Sequence, residues 1–323
     1  MSETIVVETK NLTKYYGKSR GIENLTFEVY QGEIFGLLGP NGAGKTTTIR
    51  VLLDLIRRTS GEARIFGMDV VQHSTEIRQR SAYLPGDLGL YKEKTARRNI
   101  RFLLGMYNNS ISERRVEELA DRLGLNLDRK VKELSKGNKQ KIAIILALAP
   151  QAELLILDEP TSGVDPLIKI DFYKMLGEIQ KETDTTVLLS SHLLGEVERV
   201  AHRVGVIREG TIVEAASIEH LKKMALKEVT VYFSNETELK KFTSKIPKDI
   251  VKTIEERLNE SRVSFTVGRE DLSRILSLLS RISINDLDVS SPALEDIFLR
   301  YYEFTPTRID LLKNIQTRIE EVA

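Results

Sequence analysis

Short, largely apolar runs punctuate the first two thirds of the chain, at residues 34–38, 154–157, 186–190 and 204–207. Such runs mark strands covered on both faces, as in a mostly parallel sheet. Residues 5–8 and 22–29 alternate instead and predict an antiparallel flank. Helical patterns separate these runs up to about Ser217, one of them over 46–56. Between Pro85 and Pro150 helices rich in Arg, Lys and Glu take over, which reads as a helical insertion between two sheet strands. This is the pattern of an α/β domain over 1–220, with a helical subdomain over about 85–150.

A second organisation begins near Leu226. Residues 227–233 alternate as a strand and 236–244 are helical. Strands over 251–258 and 262–267 meet at Asn259-Glu260-Ser261, then a helix over 271–281 precedes a strand over 284–289. The order β-α-β-β-α-β is the ferredoxin-like pattern, which predicts a small α+β accessory domain over 226–303. Ser291-Pro292 and Thr305-Pro306 each carry a helix-start signal, Ser or Thr followed by Pro. In the tail, 304–323, Ile309, Leu312, Ile315, Ile319 and Val322 share one helical stripe. That stripe either packs on its own domain or meets a partner.

Two segments carry chemistry. Gly39-Pro40-Asn41-Gly42-Ala43-Gly44-Lys45-Thr46 is a full match to G-x-x-x-x-G-K-[ST], between a predicted strand and a predicted helix. Its glycines let successive N–H groups point at a phosphate chain, and the helix start adds partial positive charge. Lys45 is placed to reach β- and γ-phosphates, Thr46 to ligate Mg²⁺, and Thr47 follows on the same helix start. The second segment is Leu154-Leu155-Ile156-Leu157-Asp158-Glu159-Pro160. A buried strand there delivers two carboxylates to its C-terminal end, where open α/β sheets bind ligands. Asp158 fits a Mg²⁺ ligand and Glu159 a residue that polarises the attacking water. Adjacent carboxylates repel, so the pair itself implies a cation.

Composition narrows the partners. The 323 residues suffice for two domains, and 48 basic against 47 acidic residues leave a net charge of +1. That balance gives no footprint for nucleic acid. The chain has no cysteine, so disulfides and thiol chemistry are excluded, and four scattered histidines make a structural zinc site unexpected. No signal-peptide pattern is visible at Met1-Ser2-Glu3-Thr4. The longest apolar run, 142–149, is far short of the roughly 18 residues that span a bilayer. A cytosolic or peripheral chain is expected.

With Leu134-Ser135-Lys136-Gly137-Asn138 between the two segments, residues 4–217 resemble an ABC-transporter ATP-binding subunit, a P-loop NTPase. The family's signature is usually Leu-Ser-Gly-Gly-Gln. The resemblance implies that Ser135 and Gly137 cap the γ-phosphate held by the other copy in a head-to-tail homodimer. It also implies that Tyr16 stacks on adenine, with Tyr15 the neighbouring alternative. Ser162-Gly163-Val164-Asp165 resembles the loop that runs between subunits, and His192 the switch histidine at the γ-phosphate. Two departures stand out: Lys136 and Asn138 in the signature, and Gly86 in Leu84-Pro85-Gly86-Asp87, where the family usually has Gln. That contact is either absent or supplied by water or Asp87. Both departures, and Ser291-Pro292-Ala293-Leu294-Glu295-Asp296-Ile297-Phe298, resemble the daunorubicin-resistance-like branch of ABC exporters. The expected cofactors are ATP and Mg²⁺. The expected partner is an ABC-2 type membrane permease, met at the cytoplasmic face of the cell membrane. The alternative is an ABC-type ATPase without a membrane partner. A translation-factor type usually carries two cassettes, and this chain has one P-loop. A repair type inserts a long coiled coil, and the roughly 110 residues between Lys45 and Asp158 show no sustained heptads.

Overall fold

The structure is a computed structural model describing residues 4–86, 88–106, 111–224, 227–247 and 249–290. The expected helix starts at Ser291 and Thr305, the apolar tail stripe and Asp87 lie outside the described residues. The chain divides into two compact units, Met1–Ile218 and Glu219–Ala323.

The first unit opens with a hairpin, β1 (Ile5–Tyr16) and β2 (Ser19–Tyr30), followed by β3 (Ile34–Leu38) and helix α1 (Lys45–Leu52). β4 (Ser60–Ile65), β5 (Met68–Asp69), α2 (Ser74–Arg80) and β6 (Ser81–Leu84) come next. Three helices then follow: α3 (Ala96–Leu104), α4 (Glu113–Arg122) and α5 (Lys136–Leu148). The chain returns through β7 (Leu154–Asp158), α6 (Pro166–Thr183), β8 (Thr186–Ser191), α7 (Leu194–Val200), β9 (Arg203–Arg208) and β10 (Thr211–Ser217). Two sheets result. One is antiparallel, ordered β2-β1-β4-β5. The other runs β10-β9-β3-β8-β7-β6 and is parallel except for its β9–β10 edge.

β3, β7 and β8 are buried at every residue, as their apolar runs require. Each fully buried Leu or Ile contributes roughly 1.5–3 kcal/mol against solvent exposure. The core between the two sheets holds Leu12, Ile22, Leu25, Phe27, Phe35 and Ile49 of β1, β2, β3 and α1. Phe27 stacks on Phe35 with ring centroids 5.5 Å apart, tying one sheet to the other.

Two differences from the sequence reading have physical causes. The hairpin strands are 12 residues each, longer than the alternating stretches at 5–8 and 22–29. Bulges break the β1–β2 register, with Asn11 and Asn24 at φ 48°, so the alternation fades while pairing continues. Helix α1 stops at Leu52, short of 56. Asp54 takes a left-handed φ of 52°, and the N–H groups of Leu55 and Ile56 fold back onto the Arg50 carbonyl.

The second unit contains α8 (Ile218–Met224, begun at the boundary), β11 (Lys227–Phe233), α9 (Glu236–Thr243), β12 (Val251–Arg257), β13 (Arg262–Val267), α10 (Leu272–Leu279) and β14 (Ile284–Ser290). Its sheet is ordered β12-β13-β11-β14, all antiparallel, which is the ferredoxin-like arrangement. Alternation along β11 and β13 sends Val229, Val231, Phe233, Val263, Phe265 and Val267 inward. Phe242 of α9 lies between Phe233 and Phe265, at 5.4 and 5.8 Å.

Candidate functional site

The loop between β3 and α1 bends where only glycine fits easily. Gly44 has φ 111°, and a Cβ there would sit 2.7 Å from Ile22 Cγ2. A Cβ on Gly39 would run into the Ile207 carbonyl. Backbone bonds lock the loop in place: Gly210 N–H donates to the Ala43 carbonyl at 2.9 Å, and Glu23 N–H to the Gly210 carbonyl at 2.8 Å. The turn between β9 and β10 therefore bridges the loop to β2.

A cleft of about 250 Å³ opens beside this loop. It brings together Tyr16, Asn41, Gly42, Gly44, Lys45, Thr46, Thr47 and Glu159, with Arg20 and Gly21. Arg20 and Gly21 were not legible as site residues, because nothing in their spacing marks them. Tyr16 is 47 % exposed and its hydroxyl lies 3.5 Å from Thr47 Oγ1. Tyr15 faces elsewhere and donates to Glu23 Oε1 at 2.8 Å. Of the two tyrosines, the cleft holds Tyr16.

Lys45 is buried, with Nζ donating to the carbonyls of Gly39 at 2.6 Å and Pro40 at 3.0 Å. Nζ also lies 3.4 Å from Glu159 Oε1. Burial pushes the ammonium pKa down, while Glu159 and Asp158 oppose that shift. Glu159 sits at φ 49°, left-handed for a residue with a Cβ. Such a conformation costs about 1–3 kcal/mol and persists when its surroundings over-determine it. Here the Glu159 N–H is held by both the carbonyl and the hydroxyl of Ser190, at 3.2 and 3.1 Å. The turned backbone aims the second carboxylate oxygen at His192 Nδ1, 3.2 Å away.

Asp158 is buried and accepts hydrogen bonds from the Thr46 hydroxyl at 3.2 Å and the Ser190 hydroxyl at 2.7 Å. A buried carboxylate beside a hydroxyl is a hard oxygen donor set that suits Mg²⁺. Gly86 borders it: a Cβ at Gly86 would lie 3.4 Å from the Asp158 carbonyl oxygen. The two adjacent carboxylates take different partners. Asp158 faces hydroxyls, and Glu159 turns away to Lys45 and His192.

Ser135 and Gly137 do not line this cleft. Ser135 caps α5, its hydroxyl accepting from Asn138 N–H at 3.3 Å. A Cβ at Gly137 would lie 3.2 Å from the Gly163 carbonyl, and Gln140 Nε2 donates to the Pro160 carbonyl at 2.8 Å. The start of α5 is thus fastened to the loop after β7. Asp165 caps α6 by accepting from Leu167 N–H at 2.9 Å, with Pro166 in the first turn.

Residues 22–162 match the ABC transporter family. The chain is 39% identical over 223 residues to the bacitracin transport ATP-binding protein BcrA of Bacillus licheniformis, covering 68% of this chain and 72% of that one. It is 33% identical over 307 residues to the uncharacterized ABC transporter ATP-binding protein YcbN of Bacillus subtilis, covering 92% and 97%. A solved ATP-binding subunit of an ABC transporter superposes with a TM-score of 0.61 at 30% identity, over 67% of this chain and 92% of the other. Cleft, phosphate-binding loop and relatives agree: the chain belongs to the ATP-binding, ATP-hydrolysing subunits of ABC transporters.

Proposed function

We propose that this chain is the ATPase of an exporter, working as a head-to-tail homodimer with a separate membrane permease of the ABC-2 type. The observation that carries this reading is the half-built cleft. Tyr16, the phosphate loop and Glu159 surround it, while Ser135 and Gly137 sit on the cap of α5, off its wall. A hydroxyl, an accessible N–H and a 13-residue helix start suit an anion brought from outside. A second copy, facing head to tail, would supply the triphosphate.

In that arrangement Lys45 exchanges its carbonyl partners for β- and γ-phosphate oxygens. Tyr16 stacks on adenine. Glu159 accepts the proton of the attacking water, and His192 holds the γ-phosphate as the bond to ADP breaks. Thr46 and Asp158 would hold Mg²⁺, which neutralises phosphate charge when bound. Shifting an open–closed equilibrium from 1:99 to 99:1 takes about 5.5 kcal/mol. Two shared triphosphates, with charge-assisted hydrogen bonds of roughly 1.5–3 kcal/mol each, suffice.

No helix among the described residues is long and apolar enough to cross a membrane, so any pathway would belong to the permease. The chain would act from the cytoplasmic face. The relative named for bacitracin transport makes bacitracin the first cargo to test. Residues 226–303 are assigned as an accessory domain, regulatory or dimer-stabilising, and 304–323 as its tail. ATPase activity per mole of chain, followed against chain concentration, tests the shared site. It rises and then saturates if two copies complete each site, and stays constant if one copy suffices.

A further inference from the structure

One buried carboxylate in the ATPase unit has no part in the mechanism above. Glu196, on α7, is mostly buried and gathers three partners. Lys169 Nζ of α6 donates to Oε1 at 2.9 Å. Tyr173 of α6 and Ser191 at the end of β8 donate their hydroxyls to Oε2, at 3.0 and 2.9 Å. Burial pushes the carboxyl up, but its hydrogen-bond donors, led by Lys169, outweigh it and hold it below the ordinary carboxylate range. Burial pushes the Tyr173 phenol well up, so it stays a neutral donor.

Two of these partners lead to different loops. Tyr173 gives its single proton to Glu196, so at 3.2 Å it accepts the hydroxyl proton of Thr161. Thr161 is buried and lies two positions after Glu159 in the loop fastened to α5. Ser191 immediately precedes His192. Its hydroxyl also accepts the Leu193 N–H at 3.0 Å, so the turn carrying His192 is closed on Glu196. One carboxylate therefore ties the loop after Glu159 to the turn that carries His192. Those two side chains meet at 3.2 Å.

We infer that Glu196 is a positioning residue for ATP hydrolysis: with Tyr173, Thr161 and Ser191 it sets His192 against Glu159, coupling the loop after β7 to the turn that carries His192. This rests on the reading of His192 as a γ-phosphate contact. None of Glu196, Tyr173, Thr161 and Ser191 lines the cleft, so nucleotide binding is expected to be spared. Its action is on turnover, and it passes through His192.

The test is a double-variant cycle on the full chain. Glu196→Gln keeps the shape and removes the charge. It is expected to lower kcat about tenfold while the Kd for ADP, by calorimetry, stays within twofold. In a His192→Ala background, followed by single-turnover hydrolysis of labelled ATP, Glu196→Gln is expected to add no further loss. A merely structural role would lower activity equally in both backgrounds and would weaken ADP binding in step. The inference is overturned if kcat stays within twofold of the parent, if the two losses multiply, or if ADP affinity falls with kcat. Should Glu196→Gln not fold, Tyr173→Phe keeps the Lys169–Glu196 pair, and the same results support or overturn it. His192→Ala with parental turnover would overturn both this inference and the reading of His192. Multiplying losses with His192→Ala impaired would overturn this inference alone.

Discussion

Glu159 presents one carboxylate oxygen to His192 Nδ1 at 3.2 Å, across the ends of two neighbouring parallel strands. The contact depends on the left-handed backbone at Glu159, which swings its side chain away from Asp158. His192 stands off the cleft lining, so its loss should spare binding and strike hydrolysis. His192→Ala is expected to lower kcat by about 10²-fold or more. Steady-state ATPase assays beside ADP calorimetry check this, and a parallel loss of affinity would contradict it.

The two adjacent tyrosines separate cleanly. Tyr16 lines the cleft, whereas the Tyr15 hydroxyl is engaged by Glu23. Base stacking is worth about 1–3 kcal/mol, so Tyr16→Ala should weaken ATP binding about tenfold. Tyr15→Phe should leave it within twofold. The reverse ranking in a titration would reassign the stacking residue.

The phosphate loop offers a steric contrast. Gly42 and Gly44 both have positive φ, 81° and 111°, yet a Cβ on Gly42 meets nothing within 4 Å. One on Gly44 would press on Ile22 and on the Gly21 carbonyl at 2.9 Å. Gly42→Ala should cost about 1–2 kcal/mol from backbone strain alone. Gly44→Ala should cost more than Gly42→Ala, and thermal unfolding midpoints should fall in that order. Equal midpoints would mean that the loop relaxes freely around Gly44.

Ser190 is fully buried and serves both acidic residues, donating to the Asp158 carboxylate and accepting the Glu159 backbone N–H. Ser190→Ala leaves Asp158 with the Thr46 hydroxyl and the Glu159 N–H with the backbone carbonyl of position 190 alone. Groups that orient a metal ligand typically change metal affinity 10–100-fold when removed. The Mg²⁺ concentration for half-maximal ATPase should therefore rise about tenfold or more. An unchanged Mg²⁺ titration would count against Asp158 as the metal-facing group.

What the sequence disclosed was local. The phosphate loop is a contiguous spacing, and β3, β7 and β8 are contiguous apolar runs, so each could be read without its neighbours. The alternation of β11 and β13 likewise exposed the second unit's sheet. What stayed hidden was relational. Thr46 reaches Asp158, Ser190 reaches back to the same oxygen, and Glu196 reaches Lys169 and Tyr173, all through contacts distant in sequence. The left-handed turn at Glu159 has no signal in residue type, because Glu seldom adopts it. Bulges at Asn11 and Asn24 likewise disguised half of the first hairpin.

The central claim is that ATP completes its site between two copies of this chain. Glu159→Gln keeps the shape of the side chain while removing the carboxylate that serves the attacking water. In excess Mg-ATP, light scattering behind size exclusion should find this variant as a dimer that reverts to its nucleotide-free mass when ATP is washed out. A variant that binds ATP yet stays monomeric throughout would contradict the shared site.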